Sequence, residues 1–383
     1  MCYDLSSTGS KQSQYFLSWF SPRLCRESYI QSIEVCGNHK VLAGGKIGTV
    51  NKVVPERPRI GVIIEQPLRD RLFTRRDQQR LDLLGKVNWT SSKETLSLDE
   101  AIEILADCHI AVGSWKAPAP SEALLAACPH LQLWEHAAGS VKYMFGPHLD
   151  TRSLIIASCK PALADVVAEM TLGQIILGLR RAFENVDENR TEIVGHPAKL
   201  RVLMGSTIGI VAASLIGQRV IKLLQPFGCD ILVYDPYVSA SEIAEMGATK
   251  VDDLVELCAS SDVVSLHTPD IPATEGLIGE RELLAMRDDT IFINTARGAC
   301  VDEIALIREL SKGRLLAFLD VTNPEPPPLG SPLRRLPNVV YTSHIAGPPC
   351  YNLGRQAVDD IETFLGGGIP QYVVTSDMLA EIA

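Results

Sequence analysis

Three side chains of different chemistry close three successive apolar runs. Arg297 follows "IFINTA", Glu325 lies in the proline-stiffened "TNPEPPP" after "LLAFLDV", and His344 ends "NVVYTSH". Ligands of open α/β sheets bind outside the carboxyl ends of the strands, so runs of strand length would bring all three to one crevice. An Arg, a carboxylate and a His suit hydride transfer to a 2-keto acid. The guanidinium fork grips carboxylate and carbonyl, and the imidazole exchanges the hydroxyl proton near neutral pH. A carboxylate bonded to the imidazole fixes its tautomer. Singly, each residue has a plainer use: an Arg on a helix end, a loop acid, a histidine satisfied in a core.

Upstream, "GIVAASLIGQRV" (209–220) has the rhythm of a dinucleotide-binding unit: strand, tight turn, helix. Its three glycine slots hold Ala212, Ser214 and Gly217. The first glycine serves a tight turn whose backbone range alanine only partly shares. The second lets the backbone approach a pyrophosphate. Ser214 places a Cβ and a hydroxyl there, either to bond a phosphate or to obstruct it. The helix start behind it still offers unpaired N–H groups and a positive dipole end. Eighteen residues after Gly217, Asp235 ends "DILVYD". There a carboxylate accepts the two hydroxyls of an adenosine ribose and repels a 2′-phosphate, which favours NAD over NADP. An ordinary βαβ unit whose Asp starts a turn before Pro236 is the alternative.

The elements that would position these residues alternate in type. From Arg59 onward, strand-length runs at 59–65, 109–114 and 131–139 alternate with helical spacing at 98–108 and 121–128. A second series begins at "TIGIVAA" and continues through runs ending at Asp235, His267, Ala296, Val321 and His344, with helices between. This pattern predicts an α/β protein with parallel sheets. The longest helical stretch, 162–186, is predicted to bridge two lobes, and a last helix over 351–366 to return to the first.

Composition narrows the function classes. The chain has 383 residues, 46% hydrophobic and 21% charged, enough for two sizeable cores. Its formal net charge of -10, without a Lys/Arg cluster, argues against nucleic-acid and membrane-surface partners. Ten cysteines show no C-x-x-C pair and no metal-ligand spacing, so free thiols in a reducing compartment and no metal are expected. No apolar run is expected to span a bilayer, and the first residues lack the features of a signal peptide. A cytoplasmic location follows. Residues 1–57, rich in Ser, Gly and Cys, read as an extension outside the folded core.

With these residues in order, the chain resembles the D-isomer-specific 2-hydroxyacid dehydrogenase family over roughly residues 59–383. The resemblance rests on "NTARG" with Arg297, "LDVTNPEP" with Glu325, "HIAG" with His344, "LHTPDIPAT" at 266–274 and "VYDPY" at 233–237. It implies two Rossmann-like lobes. One is a discontinuous, flavodoxin-like substrate lobe (58–160 with 346–383), the other a doubly wound NAD-binding lobe (161–345). It further implies a homodimer, NAD as cofactor, and a small 2-keto or 2-hydroxy acid of D configuration as substrate. Arg297, Glu325 and His344 would be catalytic, and backbone amides near Gly139 and Ser140 would bind the substrate carboxylate. Ser214, Leu215 and Ile216 would lie at the pyrophosphate turn. Asp235 would hold the ribose, Thr268 and Thr274 would line the adenosine side, and Thr295 and Asp320 would contact the nicotinamide end. Against the family pattern, Ala212 and Ser214 replace glycines, Leu215 replaces a phosphate-pairing Arg, Leu163 stands where Asn is common, and Ser343 replaces the Pro before the His. The eroded turn keeps open a redox-inactive relative that senses nucleotide, or that uses the pocket for non-redox acid–base chemistry.

Overall fold

A computed structural model of the chain describes residue 55 and residues 57–145, 154–191 and 200–380. The expected extension 1–57 lies outside the described residues apart from Pro55 and Arg57. The first series runs β1 (Arg59–Val62), α1 (Gln66–Leu72), α2 (Arg75–Leu84), β2 (Lys86–Trp89), α3 (Leu98–Leu105), β3 (Ile110–Gly113), α4 (Glu122–Ala127), β4 (Leu133–His136) and β5 (Ile155–Ser158). Capping boxes start two of its helices: Thr74 with Asp77 before α2, and Ser97 with Glu100 before α3. Helices α5 (Lys160–Leu179) and α6 (Ala182–Thr191) follow.

The second series is β6 (Thr207–Val211), α7 (Leu215–Leu224), β7 (Asp230–Tyr234), α8 (Ala240–Glu245), β8 (Thr249–Lys250), α9 (Leu254–Ser260), β9 (Val263–Leu266), α10 (Glu280–Ala285), β10 (Ile291–Asn294), α11 (Glu303–Ser311), β11 (Leu316–Leu319) and β12 (Val339–Tyr341). The chain then forms α12 (Tyr351–Leu365) and β13 (Val373–Val374).

These strands make two sheets. The six-stranded one has the order β2-β1-β3-β4-β5-β13, parallel except for β13, which runs antiparallel to β5. Its first five strands follow the flavodoxin-like order. The seven-stranded sheet, β8-β7-β6-β9-β10-β11-β12, is parallel throughout and has the doubly wound order with one strand added. Strands β3, β4, β9, β10 and β11 are buried along their whole length, as strands covered by helices on both faces must be. The return of α12 is clear from its core: Leu353, Ala357, Val358 and Ile361 pack with Ile60, Val62 and Ile110 of the first sheet.

The helix predicted over 162–186 is two helices. Arg181 takes a left-handed backbone conformation, φ 47°, and its guanidinium bridges Glu184 at 2.7 Å and Asp289 at 2.6 Å. Contrary to the expectation from sequence, α5 is long and apolar enough to cross a membrane. Its apolarity has another use here, because Ala168, Ile175 and Leu179 pack in the core of the second sheet while Ala162 and Leu163 pack against the first. Sequence patterning did not reveal α1, α2, β2, β5, β8, α9, α10 or the short β13.

Candidate active site

Strands β10, β11 and β12 are neighbours, and the loops leaving their carboxyl ends carry Arg297, Glu325 and His344. Glu325 Oε1 lies 2.7 Å from His344 Nδ1. With the carboxylate accepting, Nδ1 carries the proton and Nε2 is the ring atom that faces outward. Nε2 takes no partner among the described residues, and the His344 side chain is 50% exposed.

The backbone of His344 has φ 54°, a conformation that side-chain-bearing residues adopt rarely and only when their surroundings hold them. Asp320 does the holding. Its carbonyl accepts the His344 amide at 2.8 Å. Its carboxylate accepts the Thr342 hydroxyl at 2.6 Å and the Ile345 and Ala346 amides at 2.8 Å each. Asp320 is 1% exposed and its carboxylate is committed to the histidine loop, a use distinct from the nicotinamide contact expected of it.

Arg297 sits on a loop shaped by Asn294, whose side chain accepts from the Ala296 amide and donates to the Arg297 carbonyl, each at 3.0 Å. Gly298 is obligatory there, because a Cβ would collide with the Thr322 backbone just before the Glu325 loop. The Arg297 guanidinium donates to the Ala296 carbonyl at 2.7 Å and pairs with no carboxylate among the described residues.

The degenerate turn lies where the strand order reverses, between β6 and β9. Ala212 occupies the first glycine slot at φ 78°. Gly217 keeps its slot because a Cβ would meet the Ala212 carbonyl. The Ser214 hydroxyl caps α7, accepting from the Gly217 amide at 3.4 Å, and donates to the His267 carbonyl at 2.7 Å, which ties the turn after β6 to the chain after β9. The amides of Leu215 and Ile216 take no acceptor among the described residues, so the helix start remains open to an anion. Asp235, 7% exposed, accepts from the Ala213, Tyr237 and Val238 amides at 2.9, 2.8 and 3.2 Å.

Thr268 is nearly buried and its hydroxyl has no partner among the described residues, the mark of a group left for a ligand. Thr274 instead turns its hydroxyl onto the Pro269 carbonyl at 2.6 Å, closing its own loop, and Thr295 lies 3.2 Å from the Thr171 hydroxyl on α5. The open amides and the orphaned Thr268 hydroxyl fit a dinucleotide. Burial drives His267 and His136 down to about 3, so both are neutral.

In the first lobe, the turn after β4 holds Gly139 and Ser140. The carbonyls of Gly139 and of Ala138 before it are met by Ser158 Oγ, at 2.5 and 3.0 Å. The amides of Gly139 and Ser140 take no acceptor among the described residues. Leu163, in the place of the common Asn, joins the apolar core of this lobe. Sequence reasoning missed Ser158 and Lys160. A signal for Lys160 existed: a cation in the first turn of a helix opposes the helix dipole. Burial and, secondarily, the charge of Arg297 push its ammonium down to about 8.

A flavodoxin-like lobe, a doubly wound lobe and an acid–histidine pair at the strand ends make the open α/β architecture whose ligands bind at the carboxyl ends of the strands. Residues 172–346 match the model of the D-isomer specific 2-hydroxyacid dehydrogenase, NAD binding domain. The chain is 30% identical over 332 residues to a glyoxylate reductase of Korarchaeum cryptofilum, covering 84% of this chain and 97% of that protein. It is 35% identical over 195 residues to a D-3-phosphoglycerate dehydrogenase of Methanocaldococcus jannaschii, covering 50% of this chain but only 37% of that longer protein. Among solved structures, the TT0316 protein from Thermus thermophilus aligns with a TM-score of 0.66 at 28% identity, over 83% of this chain and 100% of its own. The chain belongs to the D-isomer-specific 2-hydroxyacid dehydrogenase family.

Proposed function

We propose that this protein is an oxidoreductase that interconverts a small 2-keto acid and the D-2-hydroxy acid with NAD(H). The observation that carries the reading is the 2.7 Å pair of Glu325 and His344 at the open end of the NAD-binding sheet, one loop from an Arg297 that has no carboxylate partner among the described residues. When bound, the reduced nicotinamide supplies the hydride. The residues do the rest. Arg297 and the Gly139–Ser140 amides hold the substrate carboxylate and turn the carbonyl toward His344. As the imidazolium, His344 gives the carbonyl oxygen the proton on Nε2 and is left as the neutral ring with its proton on Nδ1; Glu325 holds that tautomer and stabilises the imidazolium, which the reverse reaction regenerates when Nε2 takes the hydroxyl proton. Asp320 positions the histidine loop.

The Leu215 and Ile216 amides would face the pyrophosphate, Asp235 the ribose diol, and Thr268 the adenosine side. Ser214, Thr274, Thr295 and Asp320 would shape the walls around the cofactor. We assign 58–160 with 346–383 to the substrate lobe and 161–345 to the dinucleotide lobe, in keeping with the division of the strands between the sheets. A homodimer has a face available, a shallow apolar groove lined by Ile176, Val202, Met204 and Phe227. The unpaired state of the described cysteines suits a cytoplasmic setting. The occupied Ser214 hydroxyl and Leu215 favour the second reading, a relative that binds nucleotide without turnover. Titrating NADH against the purified chain and then adding a panel of 2-keto acids separates the two. NADH binding followed by its oxidation supports the dehydrogenase, and binding without oxidation by any acid favours the second reading.

A further inference from the structure

Gly139 lies in the turn with the open amides, and Gly347 directly follows the stretch whose Ile345 and Ala346 amides Asp320 holds. Neither has a positive φ, so neither needs to be glycine for its backbone. What excludes a side chain from both is Leu163. A Cβ at Gly139 would lie 2.6 Å from Leu163 Cδ2, and among the described residues Leu163 alone stands in its way. A Cβ at Gly347 would lie 2.9 Å from Leu163 Cδ1 and 3.4 Å from Val167 Cγ2. The two methyls of one leucine are thus seated on two glycines more than two hundred residues apart in sequence. The seat belongs to a longer face. Leu163, Val167 and Thr171 recur every four residues on α5, which sets them one above another. The Thr171 hydroxyl donates to the Val167 carbonyl at 2.9 Å and lies 3.2 Å from the hydroxyl of Thr295, two residues before Arg297. One helix face therefore touches the Gly139 turn, the end of the histidine loop and the Arg297 loop.

Each of the two loops has its own support, Ser158 on the Gly139 carbonyl and Asp320 on the histidine loop. Leu163 is the side chain that touches both, and a close-packed contact of this kind transmits a change of even one methylene as a shift. We propose that Leu163 is a positioning residue for the reaction. It is the spacer that sets the distance from the amides receiving the substrate carboxylate to the imidazole that gives the proton. This rests on the reading of the site as a 2-keto acid site.

A double-variant cycle tests it. For the wild type, Leu163→Ala, Leu163→Met, Gly139→Ala and the double variant Gly139→Ala with Leu163→Ala, kcat and KM are measured with pyruvate and NADH. Oxamate, an unreactive mimic of the keto acid, is titrated calorimetrically into each NADH-saturated protein. Leu163→Ala should lower kcat by roughly ten- to a hundredfold, the effect of displacing reacting groups by about 1 Å, with NADH affinity within a few-fold of wild type. Leu163→Met nearly keeps the volume and should retain most of the rate. Gly139→Ala should lower kcat and weaken oxamate binding, because its Cβ displaces Leu163. The double variant relieves that collision and should be no worse than either single variant. A leucine that only packs the core would lower the melting temperature and leave kcat of the folded protein unchanged. That result overturns the proposal, as does a double variant in which the two losses multiply. If the wild type binds oxamate but oxidises no NADH, the dehydrogenase reading falls and the oxamate cycle decides the spacer: recovery in the double variant keeps it, and independent losses overturn it. A wild type that neither binds oxamate nor oxidises NADH removes both.

Discussion

In the proposed role Arg297 would hold the substrate carboxylate through geometry as much as charge. Its loop is fixed by Asn294 and by the close approach of Gly298 to Thr322, and its guanidinium donates to the Ala296 carbonyl at 2.7 Å. Arg297→Lys keeps the charge and loses the fork. Steady-state kinetics on that variant should show kcat/KM for a 2-keto acid down by at least about tenfold, the worth of one charge-assisted hydrogen bond, while the NADH affinity is retained. Wild-type kinetics would place the carboxylate elsewhere. Asp235 gives a second expectation. A 2′-phosphate would face its nearly buried carboxylate, so the ratio of kcat/KM for NADH over NADPH should exceed one, and equal use of both would remove Asp235 from the ribose. Arg297, Glu325 and His344 were legible in sequence because each follows a strand-length run, and strand ends of a parallel sheet share one edge. The role of Asp320 was not, because Asp320 works through backbone amides of another loop.

The turn between β6 and α7 shows how an element can keep its geometry while its sequence departs from the pattern. Ala212 adopts the left-handed conformation that the first glycine would take, at a cost of about 1–2 kcal/mol. Ser214 compensates by capping α7 and bonding the chain after β9. The two substitutions back to glycine should therefore act in opposite directions. Ala212→Gly should raise the unfolding temperature and tighten NADH. Ser214→Gly should lower the temperature, through a few tenths of a kcal/mol of lost cap and about 1 kcal/mol of lost hydrogen bond. Thermal melts of the two single variants check this, and stabilisation by Ser214→Gly would contradict the bridging role.

Two buried histidines, His267 after β9 and His136 at the end of β4, carry a pH dependence. His267 and His136 are buried with folded values depressed to about 3. Their contribution to stability is full above the unfolded value near 6.5 and is lost as pH falls from there toward 3. Between pH 7 and pH 5 each should cost on the order of 2 kcal/mol. His267→Gln should make the melting temperature less sensitive over that interval, and an unchanged slope would show that His267 is not neutral in the fold. The order of the main elements around the seven-stranded sheet was legible in sequence, since its strands are long apolar runs. The break at Arg181 escaped it because the left-handed turn is held by Asp289, a residue distant in sequence.

Across the whole molecule, the cleft is assembled from segments far apart in the chain. The proposed substrate turn lies at 139–140, the proposed dinucleotide turn at 212–217 and the histidine at 344, while α5 contributes to both cores and α12 packs in the first. Among the described histidines only His344 both bonds a carboxylate and leaves its other ring nitrogen without a partner. The decisive measurement is the rate of NADH-dependent reduction of a 2-keto acid by the wild type and by His344→Ala, with NADH affinity determined on the same samples. The wild type should turn over, and the variant should lose roughly a hundred- to ten-thousandfold in kcat, the range for a general acid, with NADH binding within a few-fold of wild type. A His344→Ala variant that reduces the acid at the wild-type rate would contradict the assignment of the proton to His344 and with it the account of the site.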